Sequence, residues 1–272
     1  KAILTNLSPV LDYKVLKKRI IPKMLLNSKN IRGKQMTILE TTRNFSNNQP
    51  VGSPVSQAKI YESQLADELI IINITKDANH ELNFQEVIKE MSYELATPLA
   101  VGGKIKILDQ AKELFENGAD KIIINTNALE NPNLISEIAN LYGSQSIIVG
   151  IDLKLTDNEY KMYTNNGKTC IDKRVEEWLY EAEERGCGEI MISSIDRDGT
   201  GIGLDLGFIN RFRRNIKVPF IVSGGCGTSQ HFVEGYREGA DAVAAGRFFC
   251  RRDQNPLQCR SHVLNAGIRV RS

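Results

Sequence analysis

Short apolar runs alternate with amphipathic stretches along this chain. Eight of the apolar runs are predicted to be strands: Arg19–Pro22, Glu68–Ile74, Leu99–Val101, Lys121–Asn125, Ser146–Ile151, Glu189–Ile195, Phe220–Val222 and Ala242–Ala245. Apolar runs without polar alternation are typical of strands that are buried on both faces, as in a parallel sheet. The pattern therefore favours an α/β protein built on a buried parallel sheet.

The stretches between these runs carry apolar residues at helical spacing. Four of them are predicted to be helices: Ile107–Asn117, Pro132–Tyr142, Val175–Arg185 and Ser229–Glu238. Gly118 and Gly239 follow two of these helices, at the position that favours a C-cap glycine. Strand–helix alternation repeated eight times predicts a (β/α)8 TIM barrel. A doubly wound sheet is the second choice, because no Gly-x-Gly-x-x-Gly motif follows the first strand.

The chain contains an internal repeat. Three pairs of similar segments begin 121 positions apart, at Asp67 and Gly188, at Pro98 and Pro219, and at Gly118 and Gly239. Each member of a pair holds the same part of a strand–loop–helix unit. A long internal repeat is stronger evidence for the architecture than any single local pattern. The sequence therefore predicts a barrel made of two similar half-barrels.

Two segments lie outside the repeat. Residues 1–17 precede the first strand and are predicted to be an N-terminal extension, with residues 18–272 forming a single barrel. Residues 27–53 form a long, polar, Asn-rich stretch after the first strand. Loops that follow barrel strands lie on the active face, so this stretch is predicted to be a mobile lid over a substrate. A disordered insertion is the alternative.

Composition restricts the class of function. The chain has 272 residues, 41% hydrophobic and 25% charged, with a formal net charge of +2, which suits one soluble barrel. A net charge this small does not indicate a protein that binds nucleic acid or an anionic membrane surface. Because no signal peptide and no run of about 18 apolar residues is found, a cytoplasmic protein is expected. The five cysteines lack metal-ligand spacing, so reduced thiols and no metal or cofactor are expected.

Glycine pairs follow the third and the seventh predicted strands. They are Gly102-Gly103 and Gly224-Gly225. Glycine at the end of a strand lets bare backbone amides approach an anion closely. Phosphate sites after strands seven and eight are common in TIM barrels, and the repeat implies a second site after strands three and four.

The strands that come next supply the rest of each predicted site. Asn125-Thr126 ends the fourth strand and Ala245-Gly246 ends the eighth, where a helix N-terminus is expected to add its dipole. Asp198-Gly199, after strand six, adds amides beside the later site. Two cradles across one barrel mouth predict a long substrate that is phosphorylated at both ends. The alternative is that both glycine pairs serve tight turns only.

Several motifs together resemble a known family. They are Lys18–Pro22, Ala66–Leu69, Val101–Gly103, Ala119–Lys121, Ile124–Thr126, Gly143–Gln145, Ile151–Asp152, Ser194–Thr200 and Ser223–Gly225. They are similar to the cyclase subunit family of imidazole glycerol phosphate synthase, over roughly residues 18 to 271. That family is a half-barrel duplication. The resemblance implies a class I glutaminase docked on the N-terminal face, and ammonia used at the other face on a bisphosphorylated ribulosyl substrate.

The resemblance also implies an ammonia gate of four charged residues, which match Arg19, Glu68, Lys121 and Glu189. All four lie where predicted strands begin, which is the bottom of a barrel. Buried charges at that place are costly unless they pair, and two acids with two bases can form a closed ring. The retention of all four favours a glutaminase partner. A purely structural ring is the alternative.

The catalytic face matches the family less well. Of the family's two aspartates that act as acid and base, one matches Asp152 and the other is Leu25 here. A further family aspartate is Asn73, and a phosphate-loop glycine is Lys104. Ring closure needs both proton removal and proton return. The nearest other carboxylate in sequence is Glu40 on the long loop, where a base is expected to be poorly positioned.

This state resembles a divergent branch of the family found in surface-polysaccharide clusters. There the barrel and its glutaminase deliver ammonia to a third, ATP-dependent enzyme that amidinates an activated sugar. The first hypothesis is therefore an ammonia-delivering barrel that serves sugar amidination. A working cyclase of histidine biosynthesis is the second, and a non-catalytic docking scaffold is the third.

Overall fold

The computed structural model describes residues 17–75, 81–251 and 253–271. These residues form the predicted (β/α)8 barrel. Its parallel strands are β1 (Arg19–Ile31), β4 (Leu69–Asn73), β5 (Leu99–Gly102), β6 (Lys121–Ile124), β7 (Ile147–Thr156), β10 (Glu189–Ser194), β11 (Phe220–Ser223) and β12 (Ala242–Ala245). The barrel closes where β12 pairs with β1, and β10 pairs with both β7 and β11. All eight predicted strands are present. Residues 1–16 of the predicted extension lie outside the described residues.

Helices cover the outside of the barrel. They are α1 (Pro54–Ser63), α2 (Glu81–Glu94), α3 (Leu108–Glu116), α4 (Thr126–Glu130), α5 (Asn133–Tyr142), α6 (Val175–Glu184), α7 (Leu206–Phe212), α8 (Ser229–Arg237), α9 (Arg247–Arg251) and α10 (Pro256–Asn265). The four predicted helices are α3, α5, α6 and α8, and each end lies within one residue of the prediction. No helix among these residues is long and apolar enough to span a bilayer.

The repeat is visible in the elements themselves. β11, β12, α8 and α9 each begin and end 121 positions after β5, β6, α3 and α4. Each half therefore builds the same two-strand, two-helix unit from different side chains. Because the loops between these elements also correspond, the two glycine pairs lie on opposite sides of the same barrel mouth.

The apolar side chains form two layers. An inner cluster fills the barrel lumen and contains Ile21, Ile70, Ala100, Ile123, Ile148, Met191, Ile221, Ala242 and Ala244. A larger outer cluster lies between the strands and the helices, and Ile20 and Met24 belong to it. Neighbours on β1 thus point to opposite sides, as side chains on a strand must. The lumen between the two ends of the barrel is lined by aliphatic side chains.

The long segment after the first strand forms strands, so it is neither an irregular loop nor a disordered insertion, while its role as a lid stays a prediction. β1 continues to Ile31 and pairs antiparallel with β2 (Lys34–Arg43), which pairs with β3 (Ser46–Gly52). Two-residue turns join the strands. Arg32 and Gly33 form the first turn with positive φ, and Asn44 and Phe45 form the second. Two-residue turns with positive φ match the twist of a β-hairpin. The polar composition of this segment suggested a loop and gave no sign of these turns.

A second hairpin follows β7, at the equivalent place in the other half. β7 runs past the barrel to Thr156 and pairs with β8 (Glu159–Thr164), which pairs with β9 (Thr169–Ile171). No strand was predicted between residues 152 and 174 from the sequence. The chain therefore carries a hairpin over the barrel mouth in each half, and the two hairpins differ in length.

Candidate functional site

A closed ring of ion pairs lies at the bottom of the barrel. Arg19 contacts Glu68 at 2.7 Å and Glu189 at 2.5 Å. Lys121 contacts the same two carboxylates, at 3.0 Å and 2.5 Å. All four predicted gate residues therefore meet, although up to 170 positions separate them in sequence. Each side chain is at most 20% exposed.

Electrostatics keeps this ring charged. Burial opposes the charge on Arg19, but Glu189 and Glu68 outweigh it, and the pKa of Arg19 is raised above its ordinary value. Burial likewise opposes ionisation of Glu189, yet Arg19 and Lys121 hold the pKa of that carboxyl below its ordinary value. The ion pairs of the ring thus favour the charged forms of Arg19 and Glu189.

The first predicted anion site lies at the ends of β5 and β6. A Cβ on Gly102 would lie 2.7 Å from the side chain of Ile123, and one on Gly103 would lie 2.4 Å from the carbonyl of Asn73. Glycine is therefore required at both positions, so close packing alone already accounts for this pair. Thr126 begins α4, and its hydroxyl accepts a 3.3 Å bond from the Asn165 amide of the β8–β9 turn. Lys104 follows in a left-handed conformation, with φ of 63°.

The second predicted site is a cavity. All six residues predicted for it line the same space: Asp198, Gly199, Gly224, Gly225, Ala245 and Gly246. Gly224, Gly225 and Gly246 lie in loops. Among the described residues, their backbone N–H groups donate to no backbone carbonyl of a turn, loop or helix cap. Backbone amides without an acceptor, in residues that line one cavity, suit an anion site. Since α9 has only five residues, the dipole expected there is small.

Asp198 has a different role from the predicted one. Its carboxylate accepts bonds from the Thr42 hydroxyl at 2.7 Å and from the Phe45 amide at 3.3 Å. Its own amide donates to Ile195. Asp198 therefore fastens the β2–β3 hairpin to the loop after β10, and it offers no free donor to an anion. Gly199 is packed beneath the hairpin, where a Cβ would lie 2.0 Å from the carbonyl of Thr42.

Asp152, the predicted catalytic residue, lies on β7 beside Asn125. Asn125 donates a 2.8 Å bond to its carboxylate. Burial raises the pKa of Asp152 to about 6, and Lys23 and the Asn125 bond limit the rise, while Asp198 adds to it. A carboxyl with such a pKa exchanges protons near neutral pH. The predicted catalytic residue is therefore chemically suited to acid or base work.

Glu40, which was predicted to be poorly positioned on a loop, lies beside Leu25 in the structure. Glu40 pairs directly with Leu25 across β1 and β2, and it lines the same cavity while being 2% exposed. It is thus held rigidly. Its oxygens, however, accept bonds from Lys29 at 2.6 Å, Asn27 at 3.1 Å and Asn48 at 2.8 Å.

The bonds to Glu40 decide its chemistry. Burial alone would raise its pKa, but the bonds from Lys29, Asn48 and Asn27 outweigh burial and hold that pKa below its ordinary value. Glu40 is therefore a poor base, although it lies beside the right position. Asn73 supplies no substitute, because its side-chain oxygen accepts a 3.0 Å bond from the Thr75 amide.

Several polar or charged residues line the cavity although the sequence did not single them out. Lys23 and Arg247 bring positive charge, and Thr41 brings a hydroxyl. Lys23 directly follows the predicted strand Arg19–Pro22, Thr41 lies in the stretch 27–53 that was predicted to be a loop, and Arg247 follows Gly246, where a helix N-terminus was expected. No sequence motif marks them, because only the barrel geometry brings them together.

The fold and the site define a duplicated (β/α)8 barrel with a charged ring at one end and a glycine-lined cavity at the other. A family model described as "Histidine biosynthesis protein" matches residues 20–254. The chain belongs to this family. Among the described residues, no group of three or more His, Cys, Asp or Glu side chains is placed to hold a metal ion.

Individual relatives agree with the family assignment. The chain is 46% identical to a provisionally named imidazole glycerol phosphate synthase subunit hisF2 of Prochlorococcus marinus, covering 94% of this chain and 99% of the relative. It is 38% identical to the imidazole glycerol phosphate synthase subunit HisF of Pyrobaculum aerophilum, covering 93% and 98%. It is 36% identical to the HisF subunit of Chloroherpeton thalassium, covering 94% and 100%.

Proposed function

We propose that this chain is the ammonia-accepting barrel subunit of a glutamine amidotransferase of the imidazole glycerol phosphate synthase type. A class I glutaminase docks at the bottom, and ammonia passes through the ring of Arg19, Glu68, Lys121 and Glu189. It is used at the mouth beside Asp152, on a phosphorylated small molecule. The single observation that carries the proposal is the closed ring at one end of an aliphatic lumen with an anion cradle at the other.

Ring closure in histidine biosynthesis is one candidate reaction. The relatives named as HisF support it, and they favour it over sugar amidination. Asp152, with its pKa raised to about 6, supplies one of the two proton-transfer groups that ring closure needs.

Ammonia delivery for sugar amidination by a third, ATP-dependent enzyme is the other candidate reaction. Leu25 supports it, since the second proton-transfer group is absent and Glu40 is fully engaged. A docking scaffold without chemistry is disfavoured, because a scaffold has no use for an anion cradle beside Asp152.

A cyclase assay decides between the two reactions. Purified chain is mixed with the bisphosphorylated ribulosyl substrate and an ammonium salt, which bypasses the glutaminase. Imidazole product at a rate typical of an enzyme would establish the histidine-pathway cyclase. No product, together with glutamine hydrolysis by the assembled complex, would support ammonia delivery to another enzyme.

The partner is tested separately. Analytical ultracentrifugation of the chain with the class I glutaminase of the same organism is expected to show a complex at micromolar concentration. Absence of a complex would contradict the docking proposal, whatever the reaction at the mouth. The exposed-site variant Glu159→Gln on β8, at the opposite end of the barrel, is the control and is expected to bind equally.

A further inference from the structure

Lys23 projects into the upper part of the barrel lumen. Side chains two positions apart on a strand share a face. Ile21 points into the lumen cluster, so Lys23 continues that face one layer higher and lines the cavity of the second anion site. Its ammonium donates a 3.3 Å bond to the Ser223 hydroxyl, directly before Gly224 and Gly225. It also lies 5.9 Å from the ring centre of Phe45, at the tip of the β2–β3 hairpin.

The positive charge of Lys23 has no dedicated counter-ion in the cavity. Among the described residues it forms no ion pair within 4.0 Å. The two carboxylates that line the cavity are engaged elsewhere, Glu40 by Lys29 and Asp198 by Thr42. Asp152 is near enough for Lys23 to lower its pKa but is not in contact. A partly buried ammonium without a paired anion favours binding of one.

A second observation points to a ligand in the same cavity. Thr41 lines it and is 2% exposed, and its hydroxyl has no hydrogen-bond partner among the described residues. A buried hydroxyl without a partner costs free energy, and native proteins rarely leave one unless something binds there. Thr41 lies on β2, whereas Lys23 lies on β1 and Ser223 on β11. Donors thus approach the cavity from three elements.

We propose that Lys23 and Thr41 are specificity-determining residues of this cavity, and that they bind a phosphate monoester together with the glycine amides after β11. The inference rests on the proposed function and adds to it the side chains that select the ligand. A phosphate monoester presents three terminal acceptor oxygens, which suits donors from three sides. A planar carboxylate presents two. The end of the substrate nearest to β11 is therefore phosphorylated.

Equilibrium dialysis with radiolabelled inorganic phosphate tests this proposal on the full chain. The wild type is expected to bind phosphate at two sites. Lys23→Met is expected to weaken one of them by about ten- to a hundredfold, because a charge-assisted bond and its field are lost. Lys23→Arg keeps the charge and is expected to retain most of the affinity. Thr41→Val keeps the shape and is expected to weaken the same site by about two- to tenfold.

Matched variants separate this inference from the function on which it rests. Lys104→Met removes a lysine from the first anion site only, and is expected to leave the Lys23 site unchanged. Thermal unfolding in phosphate-free buffer checks that each variant is folded, and Thr41→Val tests the cavity if Lys23→Met is not. Two sites of unaltered affinity in Lys23→Met and Thr41→Val would overturn the inference and leave the proposed function standing. No phosphate binding by the wild type would overturn both.

Discussion

Burial gives Asp152 a pKa that suits proton transfer. This residue lies in the middle of β7, just after the buried run Ile147–Ile151, and desolvation disfavours its charged form. Its pKa of about 6 lies above the ordinary value of 3.8. Lys23 and Asn125 keep the rise from being larger, and Asp198 adds to it. A proton-transfer group near neutrality therefore exists here independently of which substrate binds.

This shift predicts a pH-dependent stability. Between pH 4 and 6 the native state binds the Asp152 proton and the unfolded state does not, so the free energy of unfolding falls as pH rises through that window. Asp152→Asn has no such titration. Relative to this variant, the wild type is expected to lose on the order of 1 kcal/mol between pH 4 and 7, because partial exposure screens the effect. Urea denaturation of both proteins at both pH values measures it.

The control for that experiment is Asp157→Asn. Asp157 is exposed in the turn between β7 and β8. A wild-type loss of stability that Asp157→Asn shares and Asp152→Asn lacks would support the assignment. A difference between the wild type and Asp152→Asn that stays constant from pH 4 to 7 would refute it.

Leu25 predicts a weak cyclase. General acids and bases each contribute about 10²–10⁴ in rate. The loss at Leu25 therefore amounts to about 3–5 kcal/mol of transition-state stabilisation. The double variant Leu25→Asp/Asn73→Asp is expected to raise imidazole formation from near zero, measured with an ammonium salt. The variant Asn73→Asp alone is the control. Robust cyclisation by the unaltered chain would show that Asp152 suffices.

At the scale of elements, the β2–β3 hairpin is held to the barrel mouth by polar contacts. Glu40 joins β1, β2 and β3 through Lys29, Asn27 and Asn48. Asp198 holds the hairpin tip, and Arg247 on α9 donates a 2.9 Å bond to Gln49 on β3. The hairpin therefore forms one wall of the cavity.

Removing Glu40 is expected to loosen this wall. Glu40→Ala deletes the acceptor of three bonds that link three strands, and leaves their donors unpaired. The hairpin amides are expected to exchange faster, by an amount equivalent to about 2–3 kcal/mol, while the barrel strands keep their protection. Hydrogen exchange measured by mass spectrometry reports both. Glu159→Ala, at an exposed position of the other hairpin, is expected to have no such effect.

At the scale of the whole molecule, the ring and the mouth are two ends of one lumen. Arg19 and Lys23 are four residues apart on β1, which corresponds to about 13 Å along the strand. Aliphatic side chains occupy the layer between them. The barrel therefore separates a charged ring from a polar mouth by an apolar section, which is compatible with the proposed passage of a small neutral molecule.

The ring of Arg19, Glu68, Lys121 and Glu189 also contributes to stability. Each of its acids contacts both of its bases, so the effects of removing single charges are expected to depend on one another. Arg19→Met leaves Glu68 and Glu189 buried with Lys121 as their only partner in the ring, and is expected to cost about 3–5 kcal/mol of stability. Arg19→Met combined with Glu189→Gln removes one charge of each sign, so it is expected to cost less than the sum of the two single changes. Urea denaturation in a double-mutant cycle measures the difference. Strictly additive losses would show that the four charges do not act as one ring.

Acid is expected to open the same ring. The pKa of Glu189 is held below its ordinary value of 4.5 by Arg19 and Lys121. Its contribution to stability is therefore present above pH 4.5 and is lost as pH falls through the lower, folded-state pKa.

The sequence by itself determined the barrel and the duplication, which follow from the apolar runs and their order. The ring residues were indicated by the resemblance to a known family, and their places at the starts of predicted strands agreed with it. A strand that begins with a charge places that charge at the bottom of any barrel built from it. The 121-residue offset even extends to contacts that were not foreseen. The carboxylate of Glu62 accepts hydrogen bonds from the backbone amides of Ala96 and Thr97. The carboxylate of Glu183, 121 positions later, accepts the equivalent bonds from the amides of Lys217 and Val218.

Only the tertiary structure decided what lines the mouth. Leu25 and Glu40 are 15 positions apart, and it is antiparallel pairing that sets them side by side. Lys23 and Ser223 are 200 positions apart and meet because the barrel closes. Such contacts decide whether a carboxylate can act as a base or is fully hydrogen-bonded to neighbouring donors. The pKa of a carboxyl depends on its surroundings, and the order of residues along the chain does not specify them.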